Sequence, residues 1–102
     1  MTEFNTGIKT SDLNNGDAKA LNIDGKEIAI FNSDGNFYAI ENVCPHKGVP
    51  LDDGPVENGA VVCSWHGAEF DLRTGKVLSP PATCDLPTYK VKIDDEEITL
   101  IL

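Results

Sequence analysis

The sequence predicts an all-β domain, and three observations carry that expectation. Its apolar residues fall in short runs, several of which alternate with polar residues as a half-buried sheet face requires. The runs are punctuated by Asp-Gly, Thr-Gly and acidic turn signals. No window repeats at the period of an amphipathic helix. With 102 residues, 40% apolar and 25% charged, the chain suits one soluble globular domain with a modest core.

Taken in order, "AKALNI" (18–23) and "EIAIF" (27–31) flank Asp24-Gly25, a hairpin signal because glycine tolerates the positive φ of a tight turn. "SDGN" (33–36) then leads into "FYAIE" (37–41). "AVVC" (60–63) and "AEFDL" (68–72) follow, and Thr74-Gly75 turns the chain into "KVL" (76–78). In "YKVKI" (89–93) Tyr89, Val91 and Ile93 share one face, opposite Lys90 and Lys92. "DDEE" (94–97) reads as a polar turn and "ITLIL" (98–102) as the returning strand. Glu41 to Ala82 breaks this rhythm, with five of the six prolines and five of the nine glycines. Such composition predicts a small irregular subdomain inserted into a β scaffold, with its site on loops.

A net charge of −9 excludes the basic footprint of a nucleic-acid binder and disfavours anionic membranes. Solubility alone explains such acidity as well as steering toward a basic partner does. No apolar run reaches the roughly 20 residues of a membrane span. The opening "MTEFNTGIKTSDLNNGD" has no apolar core of a secretory signal, so the expected location is cytoplasmic. There, three cysteines read as metal-binding or catalytic groups rather than a disulfide framework.

Residues 44–66, "CPHKGVPLDDGPVENGAVVCSWH", hold four of the chain's five cysteines and histidines. They form two tight pairs, Cys44-x-His46 and Cys63-x-x-His66, with sixteen residues between. Pro45, Gly48 and Gly67 permit the tight backbone that would let both pairs converge on one site. Four readings compete. The residues could be unrelated core and surface positions. A structural Cys₂His₂ zinc site usually begins with two cysteines two to four residues apart, unlike these mixed pairs. A Cys/His hydrolase leaves one pair unexplained. An iron–sulfur cluster with two Cys on one iron and two His on the other uses all four.

C-x-H followed sixteen residues later by C-x-x-H resembles the Rieske [2Fe–2S] motif, and "SPPA" (79–82) resembles the proline loop over the cluster. The whole chain is similar in size and layout to a free-standing Rieske-type ferredoxin. That resemblance implies a single Rieske domain over 1–102 built from three antiparallel sheets. Its antiparallel β-sandwich scaffold (1–41 and 83–102) would carry an inserted cluster-binding subdomain at about 42–82. It further implies one [2Fe–2S] cluster per chain, with Cys44 and Cys63 on one iron and His46 and His66 on the other.

Respiratory and photosynthetic Rieske proteins carry a loop disulfide where this chain has Val49 and Trp65. They also carry Ser and Tyr hydroxyls near the cluster, where this chain has Ala68 and Phe70. Donors aimed at the cluster stabilise its added electron, each for about 1.5–3 kcal/mol. At about 59 mV per tenfold, two missing donors lower the potential by about 100–250 mV, toward the −150 mV end of the Rieske range. The chain thus resembles the ferredoxin components of bacterial aromatic-ring-hydroxylating dioxygenase systems. The resemblance implies a non-catalytic carrier between a flavin-containing NAD(P)H-dependent reductase and a terminal Rieske oxygenase. With both histidines committed, a 2-His-1-carboxylate iron site cannot also be built.

Docking is expected on an apolar tip of Val49, Pro50, Trp65 and Pro81, although Trp65 could equally be loop packing. Asp52, Asp53 and Glu69 are candidates to steer a basic partner. Cys84 fits neither pair and reads as a small packed side chain. A monomer is the simplest state for a shuttle. The rival functions are a small Rieske-type subunit of a nitrite-reductase-like complex and a zinc-stabilised binding module.

Overall fold

The computed structural model describes residues 3–23, 25–42, 51–52, 54–57, 59–63, 68–79 and 86–101. They form ten strands and one short 3₁₀ turn. The strands are β1 (Glu3–Lys9), β2 (Ala18–Ile23), β3 (Lys26–Ser33), β4 (Asn36–Glu41), β5 (Val56–Glu57), β6 (Ala60–Val62), β7 (Glu69–Asp71), β8 (Val77–Ser79), β9 (Thr88–Asp94) and β10 (Glu97–Ile101). The 3₁₀ turn, Thr10–Asp12, follows β1.

Every pairing is antiparallel. One sheet runs β1-β10-β9-β4-β3-β2 and the other β5-β6-β7-β8. The larger sheet consists of two three-stranded ladders that meet where Ala39 and Ile40 of β4 pair with Tyr89 and Thr88 of β9. The three sheets implied by the resemblance therefore read as two ladders fused through β9, plus the smaller sheet. β1 was not foreseen, because Asn5 and Gly7 interrupt its pattern. It pairs with β10 from Glu3↔Ile101 to Asn5↔Thr99, shifts register, and resumes at Lys9↔Glu97. Gly7, at φ +74°, sits at the irregularity, and its N–H donates to Asn5 Oδ1 at 2.9 Å.

The turn signals act as their chemistry predicts. Asp34 and Gly35 join β3 to β4 with both φ positive, as a two-residue hairpin of matching twist requires. Asp95 and Glu96 do the same between β9 and β10 without a glycine, and Glu96 O accepts the Thr10 N–H at 2.8 Å.

Two cores lie on opposite sides of β3. Ile28 and Ile30 join Ile8, Leu13, Ile23, Ala39, Ile98 and Leu100 inside the curled scaffold. Ala29 and Phe31 point the other way. With Ile40 they pack against Leu51, Val61, Cys63, Ala68, Phe70, Leu72 and Leu86 of the smaller sheet and its connections. In β9, Tyr89 and Val91 pack on the scaffold core, while Ile93 is 47% exposed where the strand outruns it.

Candidate metal centre

Of the four candidate ligands, Cys63 lies among the described residues. Cys44, His46 and His66 lie outside them, as do Val49, Pro50, Asp53, Trp65, Pro81 and Cys84. Cys63 follows the last residue of β6 and is 1% exposed. Its N–H donates to Ala68 O at 2.7 Å, so the end of β6 is bonded to the residue that leads into β7. Ala68 and Phe70, which stand where a hydroxyl donor was missed in the sequence, are both fully buried in the same core as Cys63.

The segment that holds Cys44 and His46 is tied at both ends. Asn42, directly after β4, is 4% exposed. Its Oδ1 accepts the N–H groups of Leu51 at 2.8 Å and Asp52 at 2.9 Å, and its Nδ2 donates to Asp52 Oδ1 at 3.1 Å. Beyond that tie, Gly54 donates to Leu51 O at 3.0 Å, and Val62 donates to Pro55 O at 2.9 Å. A Cβ on Gly54 would run into the carbonyl oxygen of Val62, the residue before Cys63. Glycine is therefore required by close approach of the two segments.

The third connection, 80–85, starts beside the second, because Ser79 of β8 pairs with Glu69 of β7. It ends at Leu86, whose N–H donates to Gly75 O at 2.7 Å. Gly75, at φ +74°, receives Leu86 so closely that a Cβ would strike its carbonyl oxygen. Asp71 holds that turn, with its Oδ1 accepting the Arg73 and Thr74 N–H groups at 2.8 and 3.2 Å. The spacing of Cys and His singled out Cys63 as a candidate ligand, whereas Asn42, Gly54 and Gly75 gave no sign of the contacts they make. The one available signal was an Asn placed two residues before the first Cys, a side chain able to cap a turn.

These residues fit a cluster of mixed ligation. One thiol stands at a strand end in an apolar wall, which limits water at a metal site. Both Cys/His segments spring from pinned ends, and Gly54 against Val62 brings the base of one to the base of the other. Charge near the site is acidic. Glu57 and Glu69 flank a shallow cleft of about 220 Å³ floored by Ala60 and Val62 and edged by Leu78, which is 52% exposed. Asp52, expected to steer a partner, is half-buried and bonded to Asn42.

Residues 4–90 match the model of the Rieske [2Fe-2S] domain. A ferredoxin component of naphthalene 1,2-dioxygenase/salicylate 5-hydroxylase systems from Ralstonia sp is 38% identical over 89 residues, covering 87% of this chain and 86% of that one. The solved ferredoxin of carbazole 1,9a-dioxygenase from Nocardioides aromaticivorans IC177 superposes with a TM-score of 0.91 at 28% identity, over 98% and 97% of the two chains. A chain in the complex of reduced oxygenase and oxidized ferredoxin in carbazole 1,9a-dioxygenase gives 0.90 at 26% identity, over 96% and 91%.

Proposed function

The chain belongs to the Rieske [2Fe–2S] domain family, and from that premise we propose that Cys44 and Cys63 bind one iron of its cluster and His46 and His66 the other. The chain is a single Rieske domain over 1–102, with a cluster-binding subdomain at about 42–82. It works as a cytoplasmic monomer that takes electrons from a flavin-containing, NAD(P)H-dependent reductase. It delivers them to the terminal Rieske oxygenase of an aromatic-ring dioxygenase system. Its likeness to ferredoxin components and to a ferredoxin seen with its oxygenase supports this role. The observation that carries it is Cys63, sealed in the apolar core with its N–H bonded to Ala68 O.

When bound, the cluster supplies reversible one-electron chemistry. The protein's own residues decide how tightly it is held and at what potential. The apolar neighbours of Cys63 keep water from the thiolate side of the site. Ala68 and Phe70 carry no hydroxyl, so no side chain at these positions donates a hydrogen bond to the reduced state. Partners dock over Val49, Pro50, Trp65 and Pro81. Glu57 and Glu69 beside Leu78 add an acidic, apolar margin that suits a basic docking face.

A potentiometric titration followed by EPR on anaerobically purified protein tests this reading. We expect two irons with acid-labile sulfide, and a Rieske-type signal with a midpoint near or below about −100 mV. One zinc and no signal would end the electron-carrier reading. Reduction by a reductase should slow as salt rises, and a rate indifferent to ionic strength would remove the acidic steering.

A further inference from the structure

We infer that Asn42 is a positioning residue: by joining both ends of segment 43–50, its side-chain amide sets the placement of Cys44 and His46, and with it the retention and electronic signature of the cluster. The inference rests on the assignment of Cys44 and His46 as ligands.

Asn42 is held independently of the segment it ties. Its own N–H donates to Glu27 O at 2.8 Å, and the preceding Glu41 N–H donates to Pro87 O at 3.1 Å. The residue is thus fixed between the start of β3 and the approach to β9. Among the described residues its side chain makes three bonds, all to the two residues that follow segment 43–50. Leu51 is fully buried, so the N–H it gives to Asn42 has no ready exchange with water.

The chemistry asks for an amide. One oxygen must accept two N–H groups at once, and the adjoining atom must donate to the Asp52 side chain. Leucine has the shape but leaves both N–H groups without an acceptor. Aspartate keeps the acceptor and sets a second carboxylate against that of Asp52. The same loop end continues through Gly54 to the Val62 carbonyl, directly before Cys63. Slack at Asn42 therefore shifts one ligand pair against the other. Residues that orient the ligands of a metal site from behind commonly govern affinity by about 10- to 100-fold.

The test uses the cluster-loaded protein with Asn42→Ala, Asn42→Asp, and Asn42→Asp combined with Asp52→Asn. Two readouts are followed, the rate at which a ferrous chelator extracts iron and the g-values and line width of the EPR signal. Both single variants should release iron about 10- to 100-fold faster than the parent, with a shifted or broadened signal. The double variant restores the donor–acceptor pair in reverse and should recover both readouts. Single variants that match the parent would overturn the inference. So would a double variant that recovers neither readout, including the case where none of the three retains iron. A general loss of fold would not be rescued by exchanging the amide and carboxylate. Failure of the ligand assignment shows separately, as a parent without a Rieske signal or a Cys44→Ser variant that keeps it.

Discussion

Gly54 is a position where one methyl group should be costly through close approach alone. Its φ lies outside the left-handed region, so alanine there meets no backbone strain. The added carbon meets the carbonyl oxygen of Val62, with Leu51 O a further 3.3 Å neighbour. Neither is the end of a flexible side chain, so the 51–55 segment must move. Such overpacking costs about 1–3 kcal/mol. The shift also strains the bonds from Gly54 to Leu51 O and from Val62 to Pro55 O, each worth about 0.5–1.5 kcal/mol. Gly54→Ala should therefore lose about 2–4 kcal/mol, which lowers Tm by roughly 10–25 °C in a domain of this size. Gly59→Ala is the contrasting control. Gly59 has φ +76° and nothing within 4 Å of its absent Cβ, so only the left-handed penalty of about 1–2 kcal/mol applies. Thermal unfolding by circular dichroism ranks the two, and iron retention shows whether the first loop moved. A Gly54→Ala protein that melts within about 4 °C of the parent would refute the close approach.

Three further outcomes follow from the same geometry. Ala68→Ser should raise the midpoint by about 60–130 mV, the equivalent of one charge-assisted hydrogen bond, and an unmoved potential would remove missing donors as its cause. Burial, with a smaller push from Glu41, holds the Tyr89 hydroxyl above the ordinary tyrosine value of about 10. The neutral form is favoured in the fold, so this contribution is full below about pH 10 and is lost as pH rises through the raised value. Urea midpoints measured from about pH 9 upward should fall in the parent and fall less in Tyr89→Phe; parallel curves would exclude Tyr89 as the source. Cys84→Ala should leave the EPR spectrum intact, and a lost spectrum would make Cys84 part of the site.

How legible these features were depended on distance along the chain. Asp34-Gly35 and the 94–97 turn could be read directly, because a two-residue hairpin is decided by the residues in it. The alternation of Tyr89 and Val91 placed their face on the core, because the period is local too. β1 was illegible because its edge position rests on register with β10, at the far end of the sequence, rather than on its own pattern. β5, two residues long, carries no period at all. Cys63 announced itself through its spacing to His66, a short-range signal. Asn42, Gly54 and Gly75 act on Leu51, Val62 and Leu86 across intervening loops, so nothing beside them in sequence reveals the partner. The two histidines and Cys44 are candidates by spacing too, and lie outside the described residues.

The alternation in β3 has a consequence for how the protein comes apart. Ile28 and Ile30 face one core while Ala29 and Phe31 face the other, so a single strand is the common wall of both halves. Neither half can melt without stripping the wall from its neighbour. A peptide spanning only about 42–82 would lack Ala29, Phe31 and Ile40 and should not hold its fold. Amide exchange at β3 should then report only whole-molecule opening, at the same free energy whichever core is weakened. Melting of the smaller-sheet core and melting of the scaffold become one event, so a thermally damaged chain presents itself to proteases as unfolded throughout rather than as half-folded.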